Sequence, residues 1–128
     1  MRRALVAVLL VLVSCGCGAS ATITKDELQT QSDAVHSAAA EGALLASDVA
    51  RGRSTEPFAR IHSGVLEDQA QAAADALDKP AQRSLEAERR TTERRAVQVA
   101  DALGRLHDDP TDRALAARVR VELRRLAG

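Results

Sequence analysis

An all-α fold, in its simplest form an antiparallel up-down four-helix bundle, is predicted by three observations. Alanine, the strongest helix former, supplies 24 of the residues from Cys15 onward. Apolar side chains recur at helical spacing in four separate stretches. Between those stretches stand glycine, proline and short polar residues, which stop one helix and start the next. The length from Cys15 to Gly128 suits one small domain, placed at residues 24–128. Two long helical hairpins that dimerise are the alternative architecture.

The first helix is expected from residue 25 to about 52. Thr24 and Glu27 have the spacing of a capping box, and Asp26 with Glu27 complements the helix dipole. Leu28, Val35, Gly42 and Val49 recur every seven residues with Ala38 and Leu45 between them, and Gly42 on that seam lets another helix come close. Gly52 ends the helix, and Ser54-Thr55-Glu56-Pro57 opens the second. There the apolar stripe reads Phe58, Ile61, Val65, Ala72 and Ala76, with Leu66 and Leu77, up to Asp78-Lys79-Pro80.

The third helix is expected over about 81 to 106, with Leu85, Ala96, Val99, Leu103 and Leu106 on its seam. Between Glu86 and Arg95 that seam is nearly empty, Ala87 being its one apolar residue, so the bundle should be loose at this end. Glu86 and Arg90 form an i,i+4 pair that keeps the stretch helical while solvated. Asp109-Pro110-Thr111-Asp112 reads as a cap with Asp109 at N-cap and Pro110 at N1. The fourth helix then uses Leu115, Ala116, Val119, Leu123 and Leu126. Short connections favour antiparallel neighbours.

Composition limits what fills the interior. There is no Trp or Tyr and one Phe, so the core is aliphatic. Ile, Leu, Val and Phe number 21 after Cys15, near the level at which chains cease to fold, but the near balance of charge opposes disorder. Residues 15–78 carry 4 basic and 10 acidic groups, and residues 79–128 carry 12 and 8. The two halves should attract one another within one bundle, the alternative being a basic face kept for an anionic partner. Basicity this mild, without interleaved aromatics, gives no reason to expect a nucleic-acid partner.

Reactive constellations are absent from the pattern. Asp33 and His36 lie one helical turn apart, as a metal or acid/base pair requires, but the spacing is common by chance. Ferritin-like di-iron sites need Glu-x-x-His on two helices, and the positions three before His62 and His107 are Ala59 and Gly104. In an up-down bundle His36 and His62 differ in height by roughly 15 Å and share no ligand. His107 is expected in a solvated turn. Glu67-Asp68 and Asp108-Asp109 are adjacent pairs that diverge by about 100° on a helix. Arg89-Arg90 and Arg94-Arg95 read as solvated helix surface, with contact to anionic lipid or a polyanion as the functional alternative. No nucleophile elbow, phosphate loop or zincin motif occurs. No catalytic residue, cofactor or metal site is expected.

The N-terminal segment is the exception to this plainness. Arg2-Arg3 forms a positive n-region, and Ala4 to Val13 are ten residues without a polar side chain, the length of a signal h-region and too short for a membrane span. The flanking consensus of a twin-arginine signal is missing, so general secretion is expected. Leu12-Val13-Ser14-Cys15 follows, with Leu at −3 and a small residue at −1 before the Cys. This resembles the lipobox of bacterial lipoproteins. The resemblance covers residues 1–15 and implies that residues 1–14 are removed as a signal peptide and that Cys15 is acylated, with residues 15–23 as a tether.

Two other processing signals compete with it. Cys17 has Ser14 and Cys15 at its −3 and −2 positions, a poor apolar match, and Ala19-Ser20-Ala21 fits ordinary signal peptidase. Both cysteines fall in this segment, which leaves the domain without a disulfide, and a Cys15-x-Cys17 zinc site lacks two further ligands nearby.

The resemblance and the plain helical domain together imply a non-enzymatic, exported lipoprotein. It would be anchored through acylated Cys15 to membrane lipid, at the outer face of a bacterial cytoplasmic membrane or at an outer membrane. It would present a helical surface to a protein partner or to itself, or serve a structural envelope role. The alternatives are a small-ligand carrier or sensor using the bundle core, and a secreted helical domain cleaved after Ala21.

Overall fold

A computed structural model describes residues 21–128; Cys15, Cys17, Ala19, Ser20 and the signal segment lie outside the described residues. The four helices are α1 (Lys25–Ala50), α2 (Glu56–Leu77), α3 (Glu86–Asp108) and α4 (Arg113–Ala127). They form a four-helix bundle in which α1 packs on α2 and α4, and α3 packs on the same two helices. Across the centre α1 meets α3, whereas α2 and α4 share no contact. Contacts between the ends fix the up-down sense. Arg60 near the start of α2 bonds His107 near the end of α3, and His36 in the first half of α1 bonds Ala127 at the end of α4. The bundle therefore closes within one chain.

Local chemistry explains most boundaries. Thr24 caps α1 as a full capping box: its hydroxyl accepts from the Glu27 N–H at 3.2 Å, and its own N–H donates to the Glu27 carboxylate at 2.8 Å. The Thr24 N–H bond is the main cause holding the Glu27 carboxyl below the ordinary carboxylate range. Gly52 follows α1 at φ 67°, where an L side chain would be strained. Pro57 occupies the first turn of α2, where its missing N–H has no helical partner to lose. The cap of α4 differs from expectation. Asp112, not Asp109, accepts the Leu115 N–H at 2.9 Å, while Asp109 closes α3 and Pro110 is buried in the turn between them.

The interior is built from small residues at close quarters. Ala38, Ala39, Ala46, Ala59, Ala70, Ala96, Ala102 and Ala116 are all fully buried beside Leu66, Leu103, Leu106 and Leu123. A Cβ on Gly42 would lie 2.7 Å from Leu103 Cδ2 and 2.9 Å from Leu123 Cδ1, so α3 and α4 both lean into the space that glycine leaves on α1. Gly64 and Gly104 do the same between α2 and α3, against His107 and Glu67. The expected use of Gly42 is thus realised.

The expected looseness at residues 86–95 is not. Residues 81–85 form turns, so α3 starts at Glu86, and a second apolar cluster of Ile23, Leu28 and Leu77, with Ala81 and Leu85, closes this end of the bundle. Ile23 N–H donates to Pro80 O at 2.9 Å, pinning the entering chain to the α2–α3 connection. The seam that lacks apolar residues is filled by Arg89 and Thr92, both buried.

Gly42→Val should therefore be costly. Leu103 and Leu123, whose methyl groups a side chain at this position would meet, are both fully buried, so overpacking should exceed the gain in helix propensity. Chemical denaturation should show a loss of about 2–3 kcal/mol. An unchanged midpoint would show that the helices are not this close.

Candidate functional site

The buried face of α2 follows Ala59, Ser63, Leu66, Ala70, Ala73 and Leu77, a run spaced alternately by four and three residues, with Ala74 buried beside it. Ser63 enters this dry seam because its hydroxyl donates to Ala59 O at 2.7 Å and Arg60 O at 3.1 Å. Of the expected stripe, Leu66 and Leu77 are buried as read, but Phe58, Ile61, Val65 and Ala72 are not. Phe58, Ile61 and Val65 are 57%, 68% and 47% exposed, and Ala72 is exposed with them. The physical reason is the close approach of α2 to α3 at Gly64 and Gly104, which admits small side chains and no phenylalanine. The alternating run from Ala59 to Leu77 was the sequence signal that distinguishes the two stripes.

These displaced residues form a surface. Leu44 of α1 stands 67% exposed beside them, and Phe58 stacks on His62 with ring centroids 5.4 Å apart. Glu41, Leu44, Leu45, Asp48, Phe58 and His62 line a shallow groove of about 200 Å³ between α1 and α2. Single exposed apolar residues are ordinary, whereas here four large ones share one flank of the bundle. Asp48 is held by Arg53 at 2.9 Å, and Glu41 accepts from Ser37.

On the opposite corner α4 presents arginine. Arg113, Arg118, Arg120, Arg124 and Arg125 make no ion pair among the described residues, and the one acid of α4, Glu122, is taken by Arg105 of α3 at 2.6 Å. Val121 lies among them, 61% exposed.

Two of the three histidines, His36 and His107, are structural clasps. Arg95 Nη1 donates to His36 Nε2 at 2.9 Å, and because guanidinium only donates, the ring proton sits on Nδ1 and is given to Ala127 O at 3.1 Å. His36 thus ties α1 to α3 and α4, and Asp33 turns instead to the Gln29 amide. The structure does not bring Asp33 and His36 together as a pair. His107, expected in a solvated turn, is half-buried within α3. Its Nδ1 donates to Arg60 O at 2.9 Å, and Arg60 Nη1 returns a bond to His107 O at 3.1 Å. Among the described residues no group of three or more His, Cys, Asp or Glu side chains converges as a metal site.

Arg89, read from sequence as solvated, is the centre of a network. It donates to Leu77 O at 2.6 Å, to Glu93 at 2.7 Å and to Glu86 at 2.9 and 3.2 Å. Glu86 also accepts from Arg90 at 2.7 Å, the expected pair, and from the Ala81 N–H at 3.2 Å. The bonds from Arg89, then Arg90, then Ala81 hold the Glu86 carboxyl down to about 2. The same carboxylates raise the Arg89 guanidinium above its ordinary value.

No known protein family, curated protein or solved structure matches this chain. No helix among the described residues is long and apolar enough to cross a membrane.

The Glu86 network should show in acid. A carboxyl held below its unfolded value contributes stability above about pH 4.5 and loses it as pH falls towards 2. Glu86→Gln should lower the melting temperature at neutral pH and flatten its fall between these values; an unchanged acid profile would remove Glu86 from the account. Arg89→Met should cost about 2 kcal/mol by leaving Leu77 O without its partner.

Proposed function

We propose that this chain is an exported, lipid-anchored, non-enzymatic lipoprotein that holds a helical interaction surface near a bacterial membrane. The observation that carries the reading is Leu12-Val13-Ser14-Cys15 at the end of an apolar run introduced by Arg2-Arg3. A thiol acylated with several chains gives an anchor that does not dissociate, since each buried methylene adds about 0.8 kcal/mol. The anchor lies at the outer face of the cytoplasmic membrane or at the outer membrane.

The domain's form supports this use. Ile23, pinned to Pro80, stands eight positions after Cys15, so the span available between lipid and bundle is at most about 29 Å. Ile23 enters at the end of the bundle where α2 gives way to α3. The exposed Leu44, Phe58 and Ile61 belong to the other half, near the α1–α2 turn. A bundle tethered at one end, with an apolar flank in its other half, suits display of a surface to a protein partner.

Intact mass of the mature protein taken from its native membrane tests the reading. The expected result is a chain beginning at Cys15 and carrying acyl mass, with Cys15→Ala leaving the protein unacylated and unable to remain with the membrane fraction. An unmodified chain beginning at Thr22 would make the protein a freely secreted domain.

A further inference from the structure

Each chain carries two unsatisfied flanks of opposite character. α1 has one lysine against five carboxylates, α2 one arginine against four, and α4 five arginines against one glutamate. The contrast is not spent inside the molecule: among the described residues α1 packs on α4 without an ion pair between them, and α2 and α4 share no contact. Glu41, Asp68 and Asp75 make no ion pair among the described residues, and neither do the arginines of α4. The apolar group Leu44, Phe58, Ile61 and Val65 therefore has an acidic rim, with Glu41 one turn from Leu44 and Asp68 one turn beyond Val65. Val121 has a basic rim, with Arg118 three residues before it and Arg125 four after.

We infer that these flanks bind one another between copies: the α1–α2 face of one chain receives the α4 face of a second. The acidic face, about 15 Å from Phe58 to Asp68, is long enough to span the basic one, about 10 Å from Arg118 to Arg125. Complementary charge sets the register, and burial of Val121 against Phe58, Ile61 and Val65 supplies the dry centre. The two faces differ, so the contact is head-to-tail and repeats along a row of molecules unless it closes into a ring. Arg118 and Val121 lie on the side of the bundle rather than at the end where Ile23 enters. Tethered neighbours at a common surface would thus meet side by side. The inference deepens the display reading by naming the partner, and it does not depend on acylation.

Sedimentation of the full chain in excess detergent tests it, with two charge-reversed variants, Arg118→Glu/Arg125→Glu and Glu41→Arg/Asp68→Arg. Wild type should self-associate reversibly, and the affinity should fall about tenfold or more on raising salt from about 0.05 to about 0.5 M. Each variant alone should be monomeric, with unchanged helical circular dichroism, and an equimolar mixture should associate again because each supplies the face the other lacks.

A monomeric wild type would overturn the inference. So would variants that associate as wild type does, or a mixture that stays monomeric. Vesicles of phosphatidylglycerol that bind wild type but not Arg118→Glu/Arg125→Glu, without self-association, would assign α4 to lipid instead. An acylated chain that stays monomeric would sink the self-contact and leave the anchor; an unacylated chain that associates would do the reverse.

Discussion

Helix proximity is the constraint on which this molecule depends. With one phenylalanine and no tryptophan or tyrosine, the chain has no side chain large enough to bridge widely spaced helices. Cohesion in an aliphatic interior comes from many short contacts, each weak and lost quickly with distance. Alanine and glycine at the crossing points bring the backbones together, and leucines from α3 and α4 fill what Gly42 leaves open. The same closeness decides what must stay outside. A seam narrow enough for Ala59, Ser63 and Ala70 excludes Phe58, Ile61 and Val65, which become surface.

Where aliphatic residues run out, polar groups take over. The first half of α3 lacks apolar seam residues, and Arg89 fills the place with a stem that packs and a head that makes four hydrogen bonds. Burial of a guanidinium is tolerable only because Glu86, Glu93 and Leu77 O surround it. His36 and His107 work on the same principle at smaller scale, each spending both a ring geometry and a backbone carbonyl to join helices. Such clasps are directional, and they complement a core whose dispersion contacts are not.

Helix number, type and most boundaries were legible in the sequence because they rest on local rules: the Thr24–Glu27 box, Gly52, Pro57, and the sevenfold seam from Leu28 to Val49. The Gly42 approach was legible for the same reason. Asp109 was mistaken for the α4 cap because two aspartates flank Pro110, and only the path of the chain selects Asp112. The α2 face was misread because hydrophobicity alone favours its larger residues; which stripe turns inward depends on spacing to α3, a property of the pair. The Arg89 network was invisible because its key acceptor, Leu77 O, is a backbone group brought in from another helix.

The central claim, that α2 turns the Ala59–Leu77 stripe inward and leaves Phe58, Ile61 and Val65 outside, is tested most directly by comparing Leu66→Ala with Phe58→Ala in chemical denaturation. Leu66 is 1% exposed, and its truncation should cost about 2–5 kcal/mol. Phe58 is 57% exposed, and its truncation should cost less than about 1 kcal/mol despite removing more atoms. A greater loss for Phe58→Ala than for Leu66→Ala would mean that α2 is rotated and that the exposed apolar flank does not exist.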